Sequence, residues 1–132
     1  MVVSTVELRN IAGTEAALGW AGSHTVVVDR PEGKAGGKGI GLNGAQLLGL
    51  AIGGCYCNDL RFVSYELGRE IEEIAVSVTV NLDGAPLVAT RAELAVSVQM
   101  KDGSDPTLII EESWRICTVA NSLKQGFPVL KV

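Results

Sequence analysis

The chain has 132 residues, enough for one compact domain and short for two. Apolar residues make up 47% and charged residues 20%, a globular composition that excludes a disordered chain. Eleven Lys and Arg against fifteen Asp and Glu leave a net charge of −4, and aromatics are only 5%. That balance argues against a nucleic-acid backbone, an anionic membrane or a base-stacking surface as partner.

Three cysteines, an odd number, do not suit a secreted disulfide framework. The N-terminal run Met1-Val2-Val3-Ser4-Thr5 has no basic leader. Gly39 to Asn58 is uncharged over 20 residues but holds six glycines, so it reads as a loop and a buried helix, not a membrane span. The expectation is a protein of the reducing cytoplasm, without membrane or nucleic-acid partners.

Val2 to Leu8, Ala16 to Ala21 and Thr25 to Asp29 carry strand patterns, the last through the β-branched run Val26-Val27-Val28. Pro31 to Gly44 holds six glycines and predicts a loop. Asn43 followed by Gln46 is a capping-box pair, and Gly68 is a natural stop, so a long helix is expected between them. Its first half is apolar nearly all round, which predicts burial on more than one side. Gly49, Gly53 and Gly54 each cost roughly 1 kcal/mol of helix propensity against Ala, which implies close backbone approach. The second half carries Asp59, Arg61 and Glu66 and is expected to reach solvent.

Ile74 to Leu82 and Val88 to Met100 alternate apolar and polar around Asp83-Gly84-Ala85-Pro86, the pattern of a hairpin with one packed face. Ser104 or Asp105 with Pro106 starts a second helix that Gly126 closes, and Phe127 to Val132 reads as a final strand. This order predicts an α+β domain over residues 1–132 with a mainly antiparallel sheet.

The candidate chemistry lies in the cysteines. Cys55 and Cys57 are about 200° apart around the first helix and face away from each other. A Cys55–Cys117 pair would need the two helices to pack together. On composition alone, small buried hydrophobes are the favoured role for all three. A metal site of Cys55, Cys57, Cys117 and His24 is disfavoured by the opposed directions of the first two. His24 beside Ser23 reads as a surface residue, and Trp20 and Trp114 as packing residues. Gly39-Ile40-Gly41-Leu42-Asn43-Gly44 is a literal G-x-G-x-x-G. The loop before it and the hairpin after it are not the parallel crossover of a dinucleotide site.

Asn43-Gly44-Ala45-Gln46-Leu47-Leu48, then Gly53-Gly54-Cys55, and later Cys117-Thr118-Val119-Ala120, together resemble the OsmC/Ohr family, the osmotically induced protein C and organic hydroperoxide resistance proteins. In that family a reactive Cys follows the Asn by twelve residues, as Cys55 follows Asn43 here. The resemblance implies an OsmC-like α+β fold with a long central helix and a second helix, built as an intertwined homodimer. It implies Cys55 as the residue attacking a hydroperoxide, Cys117 as the residue closing a disulfide, and an external dithiol as reductant. It implies no cofactor, neither metal nor flavin. Gly44 and Ala45 stand where the family has Pro and Glu, and Arg9 is the nearest counterpart to the family's activating Arg. The departure motivates an alternative expectation, a non-catalytic OsmC-like dimer binding a small apolar ligand near Ala45.

Overall fold

A computed structural model describes all residues, Met1–Val132. The chain divides into two compact units, Met1–Leu47 and Leu48–Val132. The first holds three short antiparallel strands, β1 (Glu7–Asn10), β2 (Ala17–Ala21) and β3 (His24–Val28), in spatial order β1-β2-β3. Residues 2–6 are exposed and carry no strand, contrary to the strand expected from Val2. A strand needs a partner, and β1 is paired only where β2 runs beside it, from Glu7 opposite Trp20 to Asn10 opposite Ala17.

The glycine-rich loop of this unit is ordered by one buried carboxylate. Asp29 accepts the backbone N–H groups of Arg30 at 2.8 Å, Lys38 at 3.0 Å and Ile40 at 3.2 Å. Burial opposes ionisation of Asp29, but these three donors outweigh it and hold its carboxyl below the usual range. The loop then doubles back on β3: Leu42 donates to the Val27 carbonyl at 2.9 Å, and Asp29 donates to the Leu42 carbonyl at 3.1 Å. A Cβ on Gly41 would sit 2.4 Å from the Val27 carbonyl oxygen, which explains the glycine there by close backbone approach.

The long helix α1 (Gly44–Glu66) begins where expected. Asn43 N–H donates to Gln46 Oε1 and Gln46 N–H to Asn43 Oδ1, both at 2.9 Å, a reciprocal capping box. The chain leaves the helix at Gly68 with φ of +63°, a conformation that glycine adopts without strain.

The second unit contains most of α1 and a long antiparallel hairpin, β4 (Ile71–Asp83) and β5 (Val88–Met100). Its register sets Ile74 opposite Val98, Val76 opposite Val96 and Val78 opposite Leu94, so one face carries the apolar set. Here α1 meets β4: a Cβ on Gly53 would lie 3.1 Å from Val78 and 3.5 Å from Val76. Gly49 makes only ordinary contact with Val80, and Gly54 faces open space. Close approach therefore accounts for Gly53 and not for all three glycines.

Two helices follow, α2 (Thr107–Ile116) and α3 (Thr118–Gln125). The single second helix expected from the sequence is thus broken at Cys117, whose ψ of 108° leaves the helical region. Residues 127–132 are exposed and irregular; without a neighbouring strand, the expected final strand does not form. The core of this unit gathers Tyr56, Leu60 and Val63 of α1, Ile71, Val98 and Met100 of the hairpin, Ile109, Cys117 and Ala120. Leu60 and Ile109 are fully buried, each contributing about 1.5–3 kcal/mol by leaving water. The chain is α+β with antiparallel sheets, as its element order predicts.

Candidate active site

One cluster of the second unit concentrates reactive side chains. Cys55 lies on the α1 turn after Ile52, and Cys117 is the junction residue between α2 and α3. Tyr56, next to Cys55 and 1% exposed, ties the two regions together. Its hydroxyl donates to the Ile110 carbonyl of α2 at 3.1 Å, and its ring meets Trp114 edge-on at 5.7 Å. Burial, followed by the Glu111, Cys117 and Cys57 charges, pushes the Tyr56 phenol up to about 12.

With the helices so fixed, the sulfurs of Cys55 and Cys117 and a carboxylate oxygen of Asp59 all lie within 4.8 Å of one another. The Cys55 thiol donates to Asp59 Oδ2 at 3.7 Å, the i to i+4 spacing of one helical face. Cys55 and Asp59 are half-buried, while Cys117 is fully buried. Burial pushes the Cys117 thiol up; the Ala120 N–H acts against this, and the neighbouring Cys55 and Asp59 add to it. All three cysteines are free thiols. These three donors are also the group in the chain with the convergence a soft divalent metal would need.

An open groove of about 380 Å³ takes in Ile52, three residues before Cys55, and Ala120, three residues after Cys117. Ile52, Leu94, Trp114, Ala120 and Leu123 make its apolar lining. Lys124 stands at its edge with Nζ 4.4 Å from the Trp114 ring centre.

Residues 36–130, which hold the end of the first unit and all but the last two residues of the second, match the OsmC-like protein family. The chain belongs to that family. Solved structures agree with the OsmC-like fold over nearly its whole length. An OsmC-like protein of unknown function from Vibrio cholerae superimposes with a TM-score of 0.78 at 12% identity, covering 92% of this chain and 94% of its own. An organic hydroperoxide resistance protein OsmC from Legionella pneumophila gives 0.65 at 15%, covering 94% and 90%. The organic hydroperoxide resistance protein OhrB of Bacillus subtilis gives 0.59 at 20%, covering 92% and 90%. Among curated proteins, none matches.

The structure thus brings Cys55 and Cys117 together and leaves Cys57, half-buried on α1, outside the cluster. His24 is exposed at the start of β3, and Arg9 is exposed in β1. Asp59 is the correction. Its charge suggested a solvent-facing position, yet it is half-buried against Cys55. The four-residue spacing from Cys55 was the signal in the sequence that could have found it. Arg61 and Glu66 are exposed, as expected. No helix is long and apolar enough to cross a membrane.

Proposed function

We propose that the chain is a thiol-dependent peroxidase for organic hydroperoxides, with Cys55 and Cys117 as its catalytic residues. The observation that carries this reading is the approach of two free thiols, from separate elements, to within 4.8 Å. Cys55 is the more accessible and attacks the terminal oxygen of the hydroperoxide. The O–O bond breaks, an alcohol leaves, and Cys55 becomes a sulfenic acid. Cys117 then attacks the Cys55 sulfur, water leaves, and a disulfide forms. An external dithiol restores both thiols by exchange. Burial of Cys117 suits its role, since a shielded thiol reacts with its neighbour and not with bulk oxidant. The apolar groove beside the pair suits an organic substrate.

The same proposal makes the chain one functional domain over residues 1–132, acting as a homodimer in the cytoplasm. Free thiols suit a reducing compartment. Exposed Leu50, Phe62 and Tyr65 on α1 support a second copy as their cover. Light scattering that gives the mass of one chain would remove the dimer.

Mass spectrometry of the reduced protein after treatment with an alkyl hydroperoxide is the direct test. A Cys55–Cys117 disulfide and stoichiometric alcohol are expected. Two reduced thiols after excess peroxide would overturn the peroxidase and leave the alternative, a non-catalytic dimer that binds a small apolar ligand at the subunit interface near Ala45.

A further inference from the structure

We propose that Asp59 is a catalytic proton-transfer residue of the thiol pair, its carboxylate taking the Cys55 proton during attack and returning it to the departing alkoxide. This rests on the peroxidase reading above. The geometry is that of a base beside its nucleophile: Cys55 Sγ donates to Asp59 Oδ2 at 3.7 Å across one helical turn. Side chains on α1 at this spacing stay paired because the backbone between them is a continuous helix.

The electrostatics say why a proton acceptor is needed. The charged groups that act on the Cys117 thiol are Cys55 and Asp59, both anionic when ionised, and no lysine or arginine joins them. Together with burial they disfavour a standing thiolate at Cys117. At Cys55 a proton acceptor is already hydrogen-bonded to the sulfur, so the proton has a place to go as the thiol attacks. The flanking Tyr56 phenol cannot accept a proton, because it is protonated and donates to Ile110.

The balance closes in both steps. In the first, the Cys55 S–H proton moves to Asp59 as the S–O bond forms and the O–O bond breaks. Asp59 then protonates the alkoxide, giving the alcohol, the sulfenic acid and a carboxylate ready for reuse. In the second, Asp59, also within 4.8 Å of the Cys117 sulfur, accepts that thiol's proton as the S–S bond forms. It passes the proton to the departing hydroxide, which leaves as water. One carboxylate therefore serves both thiols in turn, being within 4.8 Å of each sulfur.

The test compares reduced wild type, Asp59→Asn and Asp59→Glu in two reactions of Cys55. Sulfenic acid formation is timed with alkyl hydroperoxides whose alcohols differ in acidity, across pH. Alkylation is timed with iodoacetamide, whose leaving iodide needs no proton. Asp59→Asn is expected to slow the peroxide reaction about 10²- to 10⁴-fold, the usual range for losing a general acid–base group. It should also steepen the dependence on alcohol acidity, while alkylation, which needs Cys55 to lose its proton but no proton returned to the leaving iodide, falls by clearly less. Asp59→Glu should recover part of the peroxide rate. A peroxide rate within about threefold of wild type overturns the role of Asp59 while the peroxidase reading stands, and so does an equal fall in both reactions, which leaves no part for proton return to the alkoxide. A wild type that forms no sulfenic acid overturns both.

Discussion

Asp29 and Asp59 are both carboxylates that the fold has drawn away from bulk water, and they have opposite surroundings. Asp29 is surrounded by its own loop: three backbone N–H groups fill its oxygens. Nothing in that arrangement calls for a ligand. Asp59 faces two thiols, one of them half-buried, with protons to give and none of the backbone donors that would hold it as a bystander. The literal G-x-G-x-x-G in the loop that Asp29 ties down is thus architecture, and the acid four residues beyond Cys55 is the better candidate for chemistry. What separates them is whether the polar atoms are satisfied from within or still have a reaction to serve.

That contrast can be broken most forcefully at the thiols. Cys55→Ser is expected to bring hydroperoxide reduction down to the uncatalysed level with the fold intact, since a serine hydroxyl is a poor nucleophile at its ordinary pKa. Peroxide consumption followed beside far-ultraviolet circular dichroism checks this, and a variant that keeps most of its turnover would move the chemistry elsewhere.

The next effect is at the loop. Gly41→Ala would press a methyl against the Val27 carbonyl, and a loss of about 1–3 kcal/mol in urea unfolding is expected, with little change in the rate of Cys55 sulfenic acid formation. Asp29→Asn sharpens the same point through pH. The Asp29 carboxyl is held below its unfolded value, so its contribution is present above the unfolded carboxylate range and lost as pH falls through the folded one. Melting temperatures of wild type and variant should therefore converge in acid and separate toward neutrality.

Alkaline conditions probe the clamp around the thiols. Tyr56 and Cys117 both hold their protons more tightly folded than unfolded. Above their ordinary values the unfolded chain binds fewer protons, so their contribution is complete below those values and disappears as pH rises through the folded ones. For Tyr56 that window runs from 10.0 to about 12. Denaturation of Tyr56→Phe followed across this range should show a shallower loss of stability than wild type.

The smallest effect concerns Ser113, fully buried on α2 with no partner for its hydroxyl. An unsatisfied buried hydroxyl costs about 1–3 kcal/mol, so Ser113→Ala should be neutral or stabilising by up to that amount. A clear destabilisation would mean the hydroxyl has found a partner after all.

Much of this molecule is legible in its sequence. The capping box at Asn43 and Gln46, the helix stop at Gly68 and the alternation of the hairpin are local rules, written in neighbouring residues and enforced by backbone hydrogen bonding. The family pattern, too, lies in short runs around Cys55 and Cys117. Where expectations failed, a partner was missing or a helix was interrupted. Val2–Val6 and residues 127–132 have strand-like composition but no neighbouring strand, and periodicity cannot report on a neighbour. Helical spacing ran straight through Cys117, although the backbone breaks there to set the thiol at a junction.

Sequence by itself therefore determined the capped helix, the hairpin and the family pattern around Cys55 and Cys117, because each depends on residues close together in the chain. Only tertiary structure decided that residues 55 and 117 meet and that Asp59 turns inward to join them. Those facts depend on α1 packing against α2 through Tyr56, a long-range contact whose energy no local pattern encodes.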